Sequence, residues 1–486
     1  MCSLAVRRPF MSEGQMLIFD AGTSRVKVGL VDSTGKLVRY SSQSLKPRSE
    51  KPGEAVTRPE DVWNTISVLV RQTMKGMKPE SVEMLSFTGN RISVSLADEN
   101  GRILHPFITW LDSRSASKFD ERIEEVDKRV TLQKILWYKE SRPDLYEKAG
   151  SIMNLDSYLN NRLVGKPAMW VHSAVYALYD PVKKEWPDRL SEFGVDTALL
   201  PEVMEPGTYL GELTGDAAKD LGLNRTTKVY LGMGDNQAGT ASVGALVASD
   251  TKVGLSTGAY LDIVFDSQPF DFYHRGAKVF CHPYLDGKWL FEGVVPGSGL
   301  AYTWLGENFV PRFNLLASKG DDPYPELEKV AATSPKGSDG LFTMPLFMFK
   351  RGMFWGLAYS HNASHLLRSL AECTGYGLRM FFDMAVNLGA NPEFLRMDGS
   401  GSKSALWKQT MCDVLHRPGS AVKDPEASPI LGVAFLLMRS TGAIKDLSEA
   451  KRSWAERLEP SVDNSYDPLY EQWLGKFLAE AAETPI

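Results

Sequence analysis

The sequence predicts an α/β protein made of two domains of like architecture facing each other across a cleft. Three observations predict it. Short β-prone runs separated by tight polar turns, then helical periodicity, occur once before about residue 245 and again after it. In each half a glycine-rich polar turn follows a strand, the place where α/β domains receive ligands. The 486 residues are enough for two such domains with a large core.

The elements follow in order. Met16 to Asp20, Val26 to Val31 and Leu37 to Tyr40 are apolar runs joined by Ala-Gly22-Thr23 and Asp32-Ser-Thr-Gly35-Lys36, an antiparallel meander. Residues 59–76 follow the 3.6 period, with Trp63, Ile66 and Val70 on one face. Met84 to Thr88 and Ile92 to Leu96 are expected strands around Gly89-Asn90-Arg91, and 116–165 is expected to be mostly helical, broken at Pro143. A Pro- and Gly-rich stretch (180–225) leads to a strand at Lys228 to Leu231. The second meander covers Thr251 to Val264 and Lys278 to Phe291, with Asp286-Gly287 as its hairpin turn. Helices are expected at 299–308, 365–386 and from Gly399 through Leu415, the last after a strand at Phe394 to Met397. Ser428 to Ser440 reads as the last helix of the second half, with Trp473 anchoring a charged tail. The expected boundaries are a disordered leader over 1–15 (Met11 or Met16 being alternative starts), domains over 16–245 and 246–445, and a helical tail over 446–486 packed on the body.

Bulk properties narrow the function. Hydrophobic content of 43% and charged content of 24% are ordinary for a globular protein, and a net charge of -5 gives no basic footprint for nucleic acid. Cys2, Cys281, Cys373 and Cys412 are far apart without a CxxC pair, which fits reduced thiols in a cytoplasmic protein. The longest apolar stretch, Ile430 to Met438, is too short to span a bilayer, and no apolar run follows Arg7 and Arg8 as in a signal peptide. Neither a membrane nor a nucleic acid is therefore expected as partner.

The chemistry gathers at five places. Asp235, in Gly232-Met-Gly234-Asp235-Asn236-Gln237, follows a strand and opens a helix, where a carboxylate can take a proton from a substrate hydroxyl. Asp20-x-Gly22-Thr23-x-x-x-Lys27 offers backbone amides, a hydroxyl and a point charge to a phosphate, and Asp20 an acceptor for magnesium-bound water. A plain polar hairpin is the alternative. Gly254-Leu-Ser256-Thr257-Gly258 stands at the equivalent place in the second half. It also fits a Gly-x-Ser-x-Gly nucleophile elbow, but the strand-like Ala259 to Val264 follows where that motif needs a helix. Asp398-Gly399-Ser400-Gly401-Ser402-Lys403-Ser404 suits a nucleotide against the backbone at a helix start, or else a loop with Ser404 as cap. Asn90, Arg91, Trp110 and Asp112 are placed to hydrogen-bond and pack on a polyol, an Arg–Asp ion pair being the competing reading. No third glycine completes a dinucleotide fingerprint, and no Gly-x-x-x-x-Gly-Lys-Ser/Thr run is present. His361 and His365 suit a helix start better than a metal.

In this order these segments resemble the FGGY carbohydrate kinase family from about Met16 to Leu437. Its first phosphate motif is similar to Asp20-Ala-Gly22-Thr23-Ser-Arg-Val-Lys27, its catalytic motif to Gly234-Asp235-Asn236-Gln237-Ala-Gly239, and its second phosphate motif to Leu255-Ser-Thr257-Gly258. Gly352-Met-Phe-Trp-Gly356-Leu357 with His365, Ser369 and Glu372 resembles the late signature, and Asp398 to Gln409 the adenosine motif. The resemblance implies two RNase H-like domains of the actin/Hsp70-like ATPase type, and ATP and Mg²⁺ as cofactors. It implies Asp235 as general base, and Asp20 with Asp235 beside the metal. Gly22, Thr23, Lys27, Thr257, Gly258, Gly299, Gly399, Ser400, Gly401 and Ser404 would serve the nucleotide and its phosphates. Asn90, Arg91, Trp110, Asp112 and Asn236 would serve the acceptor.

The acceptor is expected to be a small sugar or polyol, most of all a pentulose such as D-xylulose. Trp110-Leu-Asp112-Ser-Arg114 and Asp235-Asn236 resemble the xylulokinase pattern, whereas Arg91-Ile92 departs from it; Arg91 stands where glycerol kinase has an arginine, but Ile92 where that enzyme has a glutamate. A family insert is missing between Pro345 and Gly352. Another polyol or a sugar acid is the alternative substrate, and a non-catalytic actin-like nucleotide module the alternative of another class. A homodimer is possible.

Overall fold

The computed structural model describes residues 14–115, 131–270, 273–274, 279–344 and 352–483. Residues 1–13 of the expected leader, 116–130 of the expected helical stretch, and 345–351 lie outside them. Contacts divide the chain into two units. The first holds Met1–Gly244, His282–Asp286 and Ala427–Lys451; the second holds Ala245–Cys281, Gly287–Glu426 and Arg452–Ile486.

The first unit is built on β1 (Gln15–Ala21), β2 (Arg25–Val31) and β3 (Leu37–Ser44). β1 is buried from Met16 onward, as a central strand covered on both faces should be. Gln15, expected in the leader, opens it. Helix α1 (Pro59–Thr73) begins with Pro59, Glu60 and Asp61, a proline and two acids suited to a helix N-terminus, and buries Val62, Trp63, Ile66, Leu69 and Val70. β4 (Val82–Gly89) runs parallel to β1. β5 (Val94–Ala97) pairs antiparallel with β6 (Ser151–Asn154), which corrects the helical expectation there. Four residues between helical runs are too few to show a period of their own, and the cross-strand partner decides. Helix α2 (Thr131–Ser141) precedes that strand and α3 (Leu155–Val164) follows it directly. The short helix α4 (Val171–Ala174) comes next, then β7 (Tyr209–Glu212), β8 (Lys228–Tyr230), β9 (Met233–Gly234) and α5 (Asp235–Ser242). The sheet order is β7-β8-β4-β1-β2-β3, with β9 also beside β4.

The second unit repeats the plan. β10 (Thr251–Leu255) pairs antiparallel with β11 (Ala259–Phe265). β12 (Val279–Pro283), whose last two residues are counted with the first unit, and β13 (Trp289–Val295) extend that side, β13 antiparallel to β11. Asp286 and Gly287 both take positive φ in the turn between them (60° and 73°), as the expected hairpin needs. Helix α6 (Ser298–Phe309) and the long α7 (Ala363–Asn387) follow. α7 starts with a capping box in which His365 reaches back to Asn362, the helix-start role expected for that histidine. β14 (Leu395–Asp398) is parallel to β10, and α8 (Ala405–Leu415) leads to β15 (Gly419–Ala421), parallel to β14. Each unit thus has an antiparallel hairpin whose first strand pairs in parallel with a later one.

The chain then returns to the first unit as α9 (Ser428–Ser440), which packs on α5, β1 and β4. This helix was expected in the second half. It is apolar nearly all round, so its sequence marks it as buried without naming its partner. A Cβ on Gly432 would fall on the Ala238 carbonyl oxygen, so α9 and α5 touch backbone to backbone. The tail helix α10 (Asp467–Glu483) belongs to the second unit. Trp473 is buried there, its indole N–H donating to the Thr343 carbonyl at 3.0 Å.

Candidate active site

In the first unit, antiparallel register sets Asp20 opposite Lys27, and Lys27 Nζ lies 3.0 Å from Asp20 Oδ2. Burial alone would pull the Lys27 ammonium down, but Asp20, then Tyr40 and Asp235, outweigh it and hold the pKa above its ordinary 10.5. Asp20 Oδ1 is buried without a hydrogen-bond partner, and so is the hydroxyl of Thr88, its neighbour in register on β4. The turn closes tightly at Gly22, where a Cβ would stand 2.8 Å from the Arg25 carbonyl oxygen. Thr23 Oγ1 accepts the Trp110 indole N–H at 2.7 Å, joining two residues expected to serve phosphate and acceptor. Asn90 is tied back to β1 through the Ala21 carbonyl, and its Oδ1 accepts from Ser93 Oγ at 2.5 Å. Gly22, Thr23, Asn90, Ser93 and Thr109 line the polar side of a small cavity.

β9 brings Asp235 to the same strand ends, because Met233 and Gly234 pair with Thr88 and Gly89. Asp235 is the first residue of α5, where free amides favour a carboxylate, and the Asn236 N–H donates to its Oδ1 at 2.8 Å. Arg91 Nε lies 3.9 Å from the same oxygen. Asp112 faces elsewhere: its carboxylate is fully buried and accepts from Arg114 at 2.7 Å and from the Ala55 N–H at 2.9 Å. That is the ion-pair arrangement rather than a group presented to an acceptor.

Sequence reasoning passed over His172. Its Nδ1 accepts the Gly234 N–H at 3.3 Å, and burial, then Arg91 and His282, push its pKa well below the ordinary value. A single histidine on a four-residue helix carries no spacing that would reveal it.

In the second unit three segments meet at the end of β10. The Gly299 N–H donates to the Thr257 carbonyl at 3.1 Å, and a Cβ on Gly299 would fall on the Ser256 carbonyl oxygen. Gly399 has φ of 80°, and a Cβ there would fall on Leu255, beside which Gly401 also lies. Thr257 and Ser400 are exposed and Gly258 is buried. Ser404 caps α8, accepting the Trp407 N–H at 3.3 Å, so the cap reading holds for that residue. The strand β11 directly after Gly258 removes the nucleophile-elbow reading.

The N-terminal domain of the FGGY family of carbohydrate kinases matches residues 15–242, and its C-terminal domain matches residues 263–441. The chain belongs to the FGGY family of carbohydrate kinases. This FGGY kinase is 24% identical over 494 residues to a xylulose kinase of Staphylococcus epidermidis, covering 96% of this chain and 97% of the other. It is 25% identical over 458 residues to a gluconokinase of Bacillus subtilis, covering 88% of each. The fold matches a ligand-bound xylulose kinase from Lactobacillus acidophilus with a TM-score of 0.84 at 21% identity, over 96% of this chain and 99% of that one. The FGGY kinase thus has the α/β fold of its family, and among the described residues no helix is long and apolar enough to cross a membrane.

Among the described residues no three His, Cys, Asp or Glu side chains form a metal cluster. Mg²⁺ at a phosphoryl-transfer site needs only one or two carboxylates, the rest of its shell being phosphate and water. The unpartnered Asp20 Oδ1 fits that demand.

Proposed function

We propose that this FGGY kinase transfers the terminal phosphoryl group of ATP to a hydroxyl of a pentulose, D-xylulose being the first acceptor to test. The observation that carries the proposal is Asp235 at the head of α5, with Arg91 3.9 Å from its Oδ1. The acceptor hydroxyl gives its proton to Asp235 as its oxygen bonds to the γ-phosphorus, and the bond to ADP breaks. Arg91 steadies the charge of Asp235 and donates to the acceptor. Lys27 and the hydroxyl of Thr23 face the transferred group, while Thr257 and the loops around Gly299 and Gly399 hold nucleotide phosphates and sugar through backbone amides. Asp20, with Asp235 near it, would hold Mg²⁺, whose charge offsets that of the phosphates. Trp110, Asn90 and Asn236 are the remaining acceptor groups. Asp112 serves by fixing Arg114 and the loop before Trp110. The pentulose choice draws on the relatives named xylulose kinase and on Trp110-Leu-Asp112-Ser-Arg114. ATP chemistry of this kind belongs in the cytoplasm. A homodimer is the oligomeric expectation, read by light scattering.

The test is ADP release with Mg-ATP against xylulose, ribulose, gluconate and glycerol, on wild type and Asp235→Asn. Stimulation by xylulose is expected, and the variant should lose about 10²–10⁴-fold in kcat while still binding ATP. Preference for gluconate or glycerol would replace the substrate. Wild-type silence with every acceptor would favour a non-catalytic nucleotide module.

A further inference from the structure

We infer that His172 is a positioning residue for Asp235: through Nδ1 it holds the Gly234 peptide where β9 turns into α5. The inference rests on the reading of Asp235 as the general base. The N–H that His172 accepts belongs to the Met233–Gly234 peptide, one peptide before the one that joins Gly234 to Asp235, so fixing it helps set how the chain enters α5 and where the carboxylate points.

The histidine is itself firmly held. The Trp170 N–H donates to the buried Asp156 Oδ2 at 2.9 Å, and the Trp170 indole N–H donates to Ser173 Oγ. Both anchors flank His172, which is 1% exposed. Accepting the Gly234 N–H requires a lone pair on Nδ1, so the ring proton sits on Nε2 and the imidazole is neutral. Its surroundings enforce that state, since burial and the neighbouring Arg91 and His282 all oppose a second charge. On the other side of Gly234 a Cβ would stand 2.6 Å from Gln237 Oε1 and 2.8 Å from Arg91 Cγ and Cδ. Gly234 thus has a neutral ring at its N–H and, against its Cα, the stem of the arginine that faces Asp235. Arg91 also lies over the Tyr176 ring at 5.7 Å, and Tyr176 meets His282 Nε2 at 3.4 Å, so one packed layer supports both the base and its cation.

The test compares full-length wild type, His172→Leu and His172→Asn. Leucine fills the volume without an acceptor, whereas asparagine returns one near the place of Nδ1. Amide hydrogen exchange over residues 233–237 is followed by mass spectrometry, alongside kcat and KM for ATP with the best acceptor. In the leucine variant exchange at Gly234 should rise about tenfold and kcat should fall roughly tenfold or more, with KM for ATP within about twofold. The asparagine variant should recover most of both. Unchanged exchange and kcat in His172→Leu overturn the inference. So does an asparagine variant no better than leucine, which marks a packing role. Should His172→Leu fail to fold, asparagine is compared with glutamine, whose acceptor reaches one methylene further; equal exchange in the two overturns it. A wild type that phosphorylates no acceptor removes the general-base reading, while the exchange measurement still decides whether His172 holds the turn.

Discussion

Gly234 lacks a side chain because Arg91 and Gln237 occupy the space where one would go. That absence lets a cation stem lie flat against the backbone next to Asp235, which is how Arg91 Nε comes within 3.9 Å of the carboxylate. Gly234→Ala should therefore act on the chemistry. Arg91 has to move by several tenths of an ångström, and kcat should fall about tenfold or more, since small misplacements of a catalytic group are costly. Stability should drop by only about 1 kcal/mol because side chains, and not backbone, yield. Gly232→Ala supplies the contrast: its Cβ would fall on the Phe87 carbonyl oxygen, so the loss should appear first in the melting temperature. Kinetics and calorimetry on the two variants separate the cases, and a kcat unchanged in Gly234→Ala would count against Arg91. The residues around this glycine were legible in the sequence because a polar motif on a glycine turn stands out. For Asp112 the sequence left both an acceptor contact and an ion pair open, because spacing cannot tell a carboxylate aimed at ligand from one aimed at Arg114 two residues on.

At the scale of elements, α3 and α4 are joined by a titrating group. Burial holds the Asp156 carboxyl up, at about 7 against an ordinary 3.8, while its Oδ2 accepts the Trp170 N–H. A carboxyl raised in the fold binds its proton more tightly there than in the unfolded chain. Stability therefore falls as pH rises from about 4 to about 7 and levels off above. Asp156→Asn keeps an acceptor and has nothing to ionise. Its melting temperature relative to wild type should rise by several degrees between pH 5 and pH 8. A gap that stays constant across that range would show that another group titrates. Hairpins and long helices were readable because alternation and the 3.6 period survive over six residues or more. β6, with four residues, and α4, with four, left no such trace. α9 was visible as a helix, but its packing on α5 was not, since an apolar surface names no partner.

For the whole molecule, the matter is which stretches of chain complete which unit. The first unit needs Ala427–Lys451, because α9 packs against the helix that begins with Asp235. A fragment spanning 14–244 should therefore expose the surface of α5, β1 and β4 that α9 covers and be cleaved rapidly in limited proteolysis. Adding a peptide of residues 427–451 should restore protection. A fragment that is resistant by itself would show that α9 is dispensable there. The duplication of strand order was legible because both meanders are local; this crossing of the chain was not, because nothing in a sequence marks a contact between residues 238 and 432.

The late arrival of α9 also shapes how the protein is born. At roughly 5–20 residues per second, a ribosome that has finished α5 works for about ten to forty seconds more before α9 leaves the tunnel. Throughout that interval the surface that α9 will cover faces the solution, and holdase chaperones can compete for it. Newly made chains stalled short of residue 440 should accordingly be found bound to such chaperones, and released once synthesis has passed it.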